Sequence, residues 1–153
     1  MLKKLVLKLY HCRLPTSVQG IALLFSRYFL QSFDQITSYL RDLVVKNTKQ
    51  GLKILMDRWL LHQPRFIGKL TKNCTYAALM AIFKSKHQAF TGLLVLGFDP
   101  SNRRASPEVS ASLKILSTLI RCYGNESKST HKEMRVCLSD NRLMRSTASL
   151  ECK

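Results

Sequence analysis

The stretch Leu55–Leu70, LMDRWLLHQPRFIGKL, contains the chain's only tryptophan, Trp59, and a proline five residues after it. Apolar residues recur at steps of three and four within this stretch and just before it: Leu52, Leu55, Met56, Trp59 and Leu60. This spacing places them on one face of an α-helix. Pro64 lacks a backbone donor and restrains the preceding residue, so it predicts the end of the helix. Gly68 and Asn73 predict a turn, with the next helix starting at Tyr76.

The same spacing predicts helices on the N-terminal side. One helix lies between Ser17 and Leu30, and its apolar face contains Ile21, Leu24, Phe25, Tyr28 and Phe29. The next contains Phe33, Ile36, Leu40, Leu43 and Val44. The break between them is expected near Gln31 to Asp34, where Ser32 or Asp34 is a candidate capping residue. Residues Leu2, Leu5, Val6 and Leu9 predict a first helix.

The C-terminal half is less regular. Ala89–Phe98, AFTGLLVLGF, is compatible with a short buried helix or a strand, and Asp99–Pro107 predicts a loop. Ser106, Pro107 and Glu108 have the composition of a helix start. The stripe expected in that helix contains Val109, Leu113, Leu116, Leu119 and Ile120. From Asn125 onward Ser, Thr and charged residues dominate, which predicts a disordered tail.

These patterns together predict an all-α fold. Helices of similar length follow one another through short polar connections, which indicates antiparallel helix pairs stacked as a short HEAT-like solenoid, although a simple helical bundle has a similar pattern. The expected domain organisation is a helical repeat domain over residues 1–124 and a polar tail over residues 125–153. If the chain is a fragment of a longer solenoid, an apolar face along Leu2–Leu9 is expected to be exposed.

The charge balance favours anionic partners. The sequence has 25 Lys and Arg against 9 Asp and Glu, a formal net charge of +16, so nucleic acid, acidic proteins and phospholipid surfaces are all compatible partners. Residues 1–33 contain no acid, and the basic, amphipathic start resembles a mitochondrial presequence. No run of apolar residues is long enough to predict a transmembrane segment.

The sequence lacks the patterns that support catalysis or cofactor binding. The histidines His11, His62, His87 and His131 have no metal-binding spacing, and no glycine-rich phosphate loop or nucleophile motif is present. The five cysteines are far apart and odd in number, which argues against a disulfide framework or a zinc site. We therefore expect neither an enzyme nor a bound metal or cofactor.

The candidate functional residues surround the turn after Trp59. We expect Trp59 and Phe66 to pack between adjacent helices across a turn shaped by Pro64 and Gly68. Basic residues on either side of this turn form the candidate partner surface, namely Arg58, Arg65, Lys69 and Lys72.

Two segments, Ile21–Leu40 and Gly51–Phe83, resemble the C-terminal repeats of β-karyopherins, the importin family of HEAT-repeat nuclear transport receptors, and most closely the importin-nine type. The similarity includes the helix ending in Met56-Asp57-Arg58-Trp59, the turn after it and the helix that follows. It covers about half of the chain.

The resemblance implies a protein-binding scaffold in the nucleus and cytoplasm that carries basic protein cargo through nuclear pores, with release by the small GTPase Ran. The chain departs from the family in two respects. The Ran-binding N-terminal repeats have no counterpart here, and the chain is basic whereas the family is acidic. The expectation is the C-terminal part of an importin-like receptor. The alternative is a basic amphipathic helical protein that is mitochondrial or binds a membrane surface or nucleic acid.

Overall fold

The computed structural model describes residues 2–12, 14–45, 49–97 and 107–124, and these form a predominantly helical structure. Helices in the described residues are α1 Leu2–His11, α2 Pro15–Gln31, α3 Phe33–Asp42, α4 Gly51–His62, α5 Lys69–Ser85, α6 Gln88–Thr91 and α7, residues 111–124. A 3-10 turn, Gln63–Arg65, follows α4. Two short antiparallel hairpins pair β1 Val44–Val45 with β2 Lys49–Gln50, and β3 Leu94–Leu96 with β4 Glu108–Ser110. The predicted all-α class is confirmed.

Helix α4 lies at the centre of the core. All five residues of its predicted apolar stripe are at most 3% exposed, and Trp59 is fully buried. Helices α1, α2 and α3 all pack against α4. Burial of so many large side chains from one element supplies much of the hydrophobic driving force for folding.

Helix pairs pack against each other, and the most extensive packing among the described helices, between α2 and α5, joins elements that are not consecutive in sequence. Gln19, near the start of α2, bonds to Ile67, two residues before α5 begins. Phe29, near the end of α2, has its ring centroid 6.1 Å from that of Phe90, just beyond α5. The two helices therefore begin at the same end of the molecule, so this pair is not one of the expected antiparallel hairpins.

Helix α1 is part of the core. Val6 and Leu9 are fully buried, and the helix packs against α4. The apolar face that a solenoid fragment was expected to expose along Leu2–Leu9 is thus covered at Val6 and Leu9, where α4 supplies a packing partner, while Leu2 and Leu5 are half-buried. Only Leu7 among the leucines of α1 is exposed, at 40%.

Helix α5 begins earlier in the sequence than predicted. This helix begins at Lys69, so Asn73 lies within it and the predicted start at Tyr76 is wrong. The physical break is at Gly68, which precedes the helix with φ of 90°. That backbone region is open to glycine and strained for other residues, so a single glycine suffices to separate the turn from the helix.

The ambiguous segment Ala89–Phe98 contains both of the alternatives considered for it. Most of α6 lies within this segment and ends before Gly92, and β3 follows that glycine. The predicted helix start at Ser106-Pro107-Glu108 is wrong, because Glu108–Ser110 pairs with β3 and the helix begins only at residue 111. Ser106 itself lies outside the described residues.

The chain divides into two compact units, residues 1–119 and 120–153. In the second unit, residues 120–124 are described and are helical. The predicted tail, residues 125–153, lies outside the described part of the chain.

Candidate interaction surface

A chain of buried hydrogen bonds joins the end of α4 to α5. The indole Nε1 of Trp59 donates to Gln63 Oε1 at 2.6 Å, and Gln63 Nε2 donates to the Thr75 hydroxyl at 2.8 Å. That hydroxyl donates in turn to the Lys72 carbonyl at 3.0 Å. Gln63 and Thr75 are fully buried, so these bonds satisfy polar groups that water does not reach. Neither Gln63 nor Thr75 belongs to the residues predicted from the sequence to be functional.

The four predicted turn residues lie together, as expected from their proximity in sequence. Pro64 is exposed in the 3-10 turn, while Phe66 is buried at 2% exposure. The Phe66 N–H donates to the Gln63 carbonyl at 3.2 Å, which closes the turn. Gly68 then redirects the chain into α5. Trp59 and Phe66 are both core residues, and the turn between them is fixed from inside by Gln63.

The backbone of Ile67 is held by a single side chain of α2. Its N–H donates to Gln19 Oε1 at 3.0 Å, and its carbonyl accepts from Gln19 Nε2 at 2.8 Å. This two-point attachment fixes the main chain while the Ile67 side chain remains 73% exposed. Leu70 is 79% exposed, and Leu14, which immediately precedes α2, is 65% exposed. All three aliphatic side chains are at the end of the molecule where α2 and α5 begin.

The four basic residues predicted as a partner surface have different environments. Arg65 and Lys69 are exposed, and Lys72 is half-buried. Arg58 is also half-buried, and its guanidinium donates to the Tyr10 carbonyl at 3.2 Å. Arg58 therefore contributes to the packing of α1 on α4. We define the basic-apolar surface by Leu14, Arg65, Ile67, Lys69 and Leu70.

Acidic residues are segregated away from this surface in the sequence. Residues 1–33 and 58–98 contain no Asp or Glu, and these segments include α1, α2, α5 and the turn. The acids among the described residues are Asp34 and Asp42 in α3, Asp57 in α4 and Glu108 in β4. Because α2 and α5 pack side by side, their acid-free segments produce a region with basic residues and no carboxylate side chains of its own.

His62 lies close to this end but inside the protein. It is 6% exposed, and its Nδ1 has no hydrogen-bond partner among the described residues. Burial lowers the pKa of His62, and the positive charges of Arg65 and Arg58 lower it further. The neutral imidazole is therefore favoured. The described residues contain no cluster of three or more His, Cys, Asp or Glu side chains arranged for a metal ion.

A second polar cluster attaches the β3–β4 hairpin to α4. Lys53 Nζ donates to the Leu94 carbonyl and, at 2.8 Å, to Glu108 Oε1. Asp57 Oδ1 accepts from the Leu96 N–H at 2.8 Å. Burial raises the pKa of Asp57, although the Leu96 hydrogen bond and Lys53 oppose the shift. Sequence reasoning missed this cluster because its members are about forty to fifty-five residues apart.

Helix α7 exposes leucines and buries polar residues. Leu113 and Leu116 are 59% and 38% exposed, whereas Lys114 and Thr118 are 8% and 5% exposed beside the fully buried Ile115. The predicted stripe is wrong for this helix except at Leu119. The cause is non-local. The Ala111 N–H donates to the Leu93 carbonyl at 2.8 Å, which fixes where the helix starts after β4. In the second unit, Ile120 and Tyr123 are 65% and 53% exposed.

No family model matches the sequence, and no curated protein matches it. Across the described ranges, none of the helices combines the length and apolarity needed to cross a lipid bilayer.

Proposed function

We propose that the chain is a non-catalytic helical scaffold for protein partners and that it is the C-terminal part of an importin-like nuclear transport receptor. The observation that carries the scaffold proposal is the orientation of α7, which exposes Leu113 and Leu116 while it buries Lys114 and Thr118. A helix oriented only by its own amphipathicity would bury the leucines, since burial of each contributes about 1.5–3 kcal/mol.

An exposed pair of leucines one helical turn apart is suited to packing against another helix. Side chains at such spacing form the ridges that interdigitate when two helices pack. In a solenoid each repeat buries its apolar face against the next. The partner expected on α7 is therefore a helix, supplied by a further repeat or by a bound protein.

The importin-like part of the proposal rests on the helical architecture and on the resemblance of Ile21–Leu40 and Gly51–Phe83 to importin repeats. Basic cargo and Ran are the partners that this class implies. The charge of +16 is unfavourable for basic cargo and favours acidic partners instead. Six of the twelve aromatic residues in the described ranges, including Phe25, Phe29 and Trp59, are buried, which leaves nucleic-acid stacking less support than protein binding.

A nuclear transport assay tests this proposal. The full chain is fused to a fluorescent reporter too large to diffuse passively through nuclear pores and is added to permeabilised cells. We expect accumulation at the nuclear rim and in the nucleus, and inhibition by a lectin that blocks the pores. The double variant Leu113→Ser and Leu116→Ser should lose rim accumulation if α7 contacts the transport partner.

The matched control replaces two exposed aliphatic residues elsewhere, Leu30→Ser and Val44→Ser, which are 47% and 55% exposed. This variant should behave as the wild type. Diffuse cytosolic signal would contradict the transport proposal. Accumulation of the wild-type fusion in mitochondria of intact cells would instead favour the mitochondrial alternative.

A further inference from the structure

The basic-apolar surface exposes aliphatic and cationic side chains next to one another. Ile67 and Leu70 are 73% and 79% exposed, the highest values among the large hydrophobic residues of the described chain. Arg65 and Lys69 alternate with them in sequence and are exposed as well. Leu14, at 65% exposure, lies at the same end of the molecule. Aliphatic side chains exposed beside cations have both of the groups needed to contact an interface that is apolar below and anionic above.

The backbone that carries Ile67 and Leu70 is fixed by contacts with the rest of the fold. Gln19 holds both backbone groups of Ile67, and the next residue inward, Phe66, is buried. Gly68 at φ of 90° then starts α5, so Leu70 is fixed in the first turn of a helix. Because the backbone is already ordered, docking of these side chains costs little further conformational entropy.

The chemistry of this surface favours an anionic bilayer over nucleic acid as the partner. A nucleic acid offers phosphates and stacking bases, but it has no apolar phase for branched aliphatic side chains, and the exposed residues here are aliphatic. An anionic bilayer offers headgroups to Arg65 and Lys69 and hydrocarbon to Ile67, Leu70 and Leu14. The acid-free segments 1–33 and 58–98 remove the carboxylates that such a surface would repel.

We propose that the basic-apolar surface docks the folded protein onto anionic phospholipid bilayers, with Ile67 and Leu70 inserting below the headgroups and Arg65 and Lys69 contacting phosphate. The docking is peripheral. It uses a different part of the chain from the α7 face and does not depend on the transport proposal.

Vesicle co-sedimentation of the full chain tests the proposal. The probes are vesicles of phosphatidylcholine alone and vesicles with equal parts phosphatidylcholine and phosphatidylserine. We expect the wild type to sediment with the anionic vesicles and not with the neutral ones. The variant Ile67→Ser with Leu70→Ser should bind the anionic vesicles at least about tenfold more weakly, because two inserted aliphatic side chains are lost.

Charge is tested separately with a matched pair of variants. Arg65→Glu with Lys69→Glu reverses two charges on the surface, and Arg27→Glu with Lys84→Glu reverses two exposed charges in the C-terminal halves of α2 and α5. Both lower the net charge equally, so only the first should abolish binding if the surface is specific. Leu30→Ser with Val44→Ser is the aliphatic control and should bind as the wild type. Circular dichroism of each variant verifies that it is folded.

Three results would overturn the proposal. The first is failure of the folded wild type to bind anionic vesicles. The second is equal weakening by both charge-reversal variants, which would indicate attraction by net charge alone. The third is unchanged binding by the folded Ile67→Ser and Leu70→Ser variant, which would exclude insertion of these side chains.

Discussion

The indole N–H of Trp59 donates to the side-chain oxygen of Gln63 one helical turn later, at 2.6 Å and in a fully buried site. The side-chain amide of Gln63 donates in turn to the hydroxyl of Thr75 in α5. We expect Gln63→Leu to lower the free energy of unfolding by about 2–4 kcal/mol, because it leaves the buried indole N–H without an acceptor. Urea denaturation followed by the fluorescence of Trp59, the only tryptophan, measures this directly.

Gln35→Leu is the control for this substitution, since Gln35 is exposed in α3. It should change stability by less than about 0.5 kcal/mol. Equal stability of the Gln63 and Gln35 variants would mean that the buried hydrogen bonds contribute nothing to the fold.

Substitution of glycine by alanine is expected to lower the stability of the protein at one position and to raise it at another. Gly68 has φ of 90°, so Gly68→Ala should destabilise the protein by about 1–3 kcal/mol through backbone strain. Gly20 lies within α2, and a Cβ placed there meets no atom within 4 Å. Gly20→Ala should therefore stabilise by about 0.5–1 kcal/mol. Thermal unfolding of the two variants compares them, and a Gly68→Ala variant as stable as the wild type would refute the assigned backbone conformation.

The buried imidazole of His62 makes stability depend on pH. Burial holds the pKa of His62 below its ordinary value of 6.5. As the pH falls through 6.5, the unfolded chain binds a proton that the folded chain does not, so the free energy of unfolding decreases. The contribution is fully present above 6.5 and is lost as the pH approaches the lowered pKa. We expect His62→Leu to flatten this dependence and to be at least as stable as the wild type, since it removes a buried Nδ1 that has no hydrogen-bond partner within the described ranges.

The test for His62 compares the denaturation midpoints of the wild type and of His62→Leu at a series of acidic pH values. The control, His11→Gln, alters an exposed histidine of α1 and should retain the wild-type profile. A His62→Leu profile parallel to that of the wild type would assign the pH dependence to other groups.

Asp57 has a pH dependence of opposite sign. Burial raises the pKa of Asp57 above its usual 3.8, so the folded chain binds more protons than the unfolded chain above that pH. Stability from this group is therefore greatest at low pH and is lost as the pH rises through the raised pKa. In Asp57→Asn the amide oxygen is able to accept the Leu96 N–H, and the charge of the half-buried carboxylate is removed.

At neutral pH we expect Asp57→Asn to match the wild type or exceed it by up to about 1 kcal/mol. Chemical denaturation at neutral and acidic pH measures the difference, with Asp42→Asn, at an exposed position, as the control. A clear loss of stability at neutral pH would show that the attraction between Asp57 and Lys53 outweighs the cost of burial.

The central helix was predictable because its signal is local. Leu52, Leu55, Met56, Trp59 and Leu60 all lie within α4, and their period alone identifies the buried face. The end of α4 was equally local, because Pro64 acts on its immediate neighbours. The pairing of α2 with α5 was not predictable, since it depends on contacts such as Gln19 with Ile67, 48 residues apart.

Helix α7 illustrates how distant contacts override a local signal. Ser106-Pro107-Glu108 has the composition of a helix start, yet Glu108 pairs with Leu96 in the hairpin and receives a hydrogen bond from Lys53, 55 residues away. That pairing delays the helix to residue 111 and changes which face is buried. In the turn, Phe66 is buried and Leu70 is exposed, although both are apolar. The spacing of apolar residues could not predict this difference, because the backbone changes direction at Gly68 between them.

The β3–β4 hairpin has a practical consequence for protein engineering. The Gly97 N–H donates to the Pro107 carbonyl at 2.8 Å, so the two ends of the segment between these residues are joined at their base. The entropy of closing a loop rises only slowly with its length. A peptide tag or a small reporter domain grafted between residues 97 and 107 should therefore leave the helical core intact, and this makes the position a suitable attachment point for labels in the binding assays.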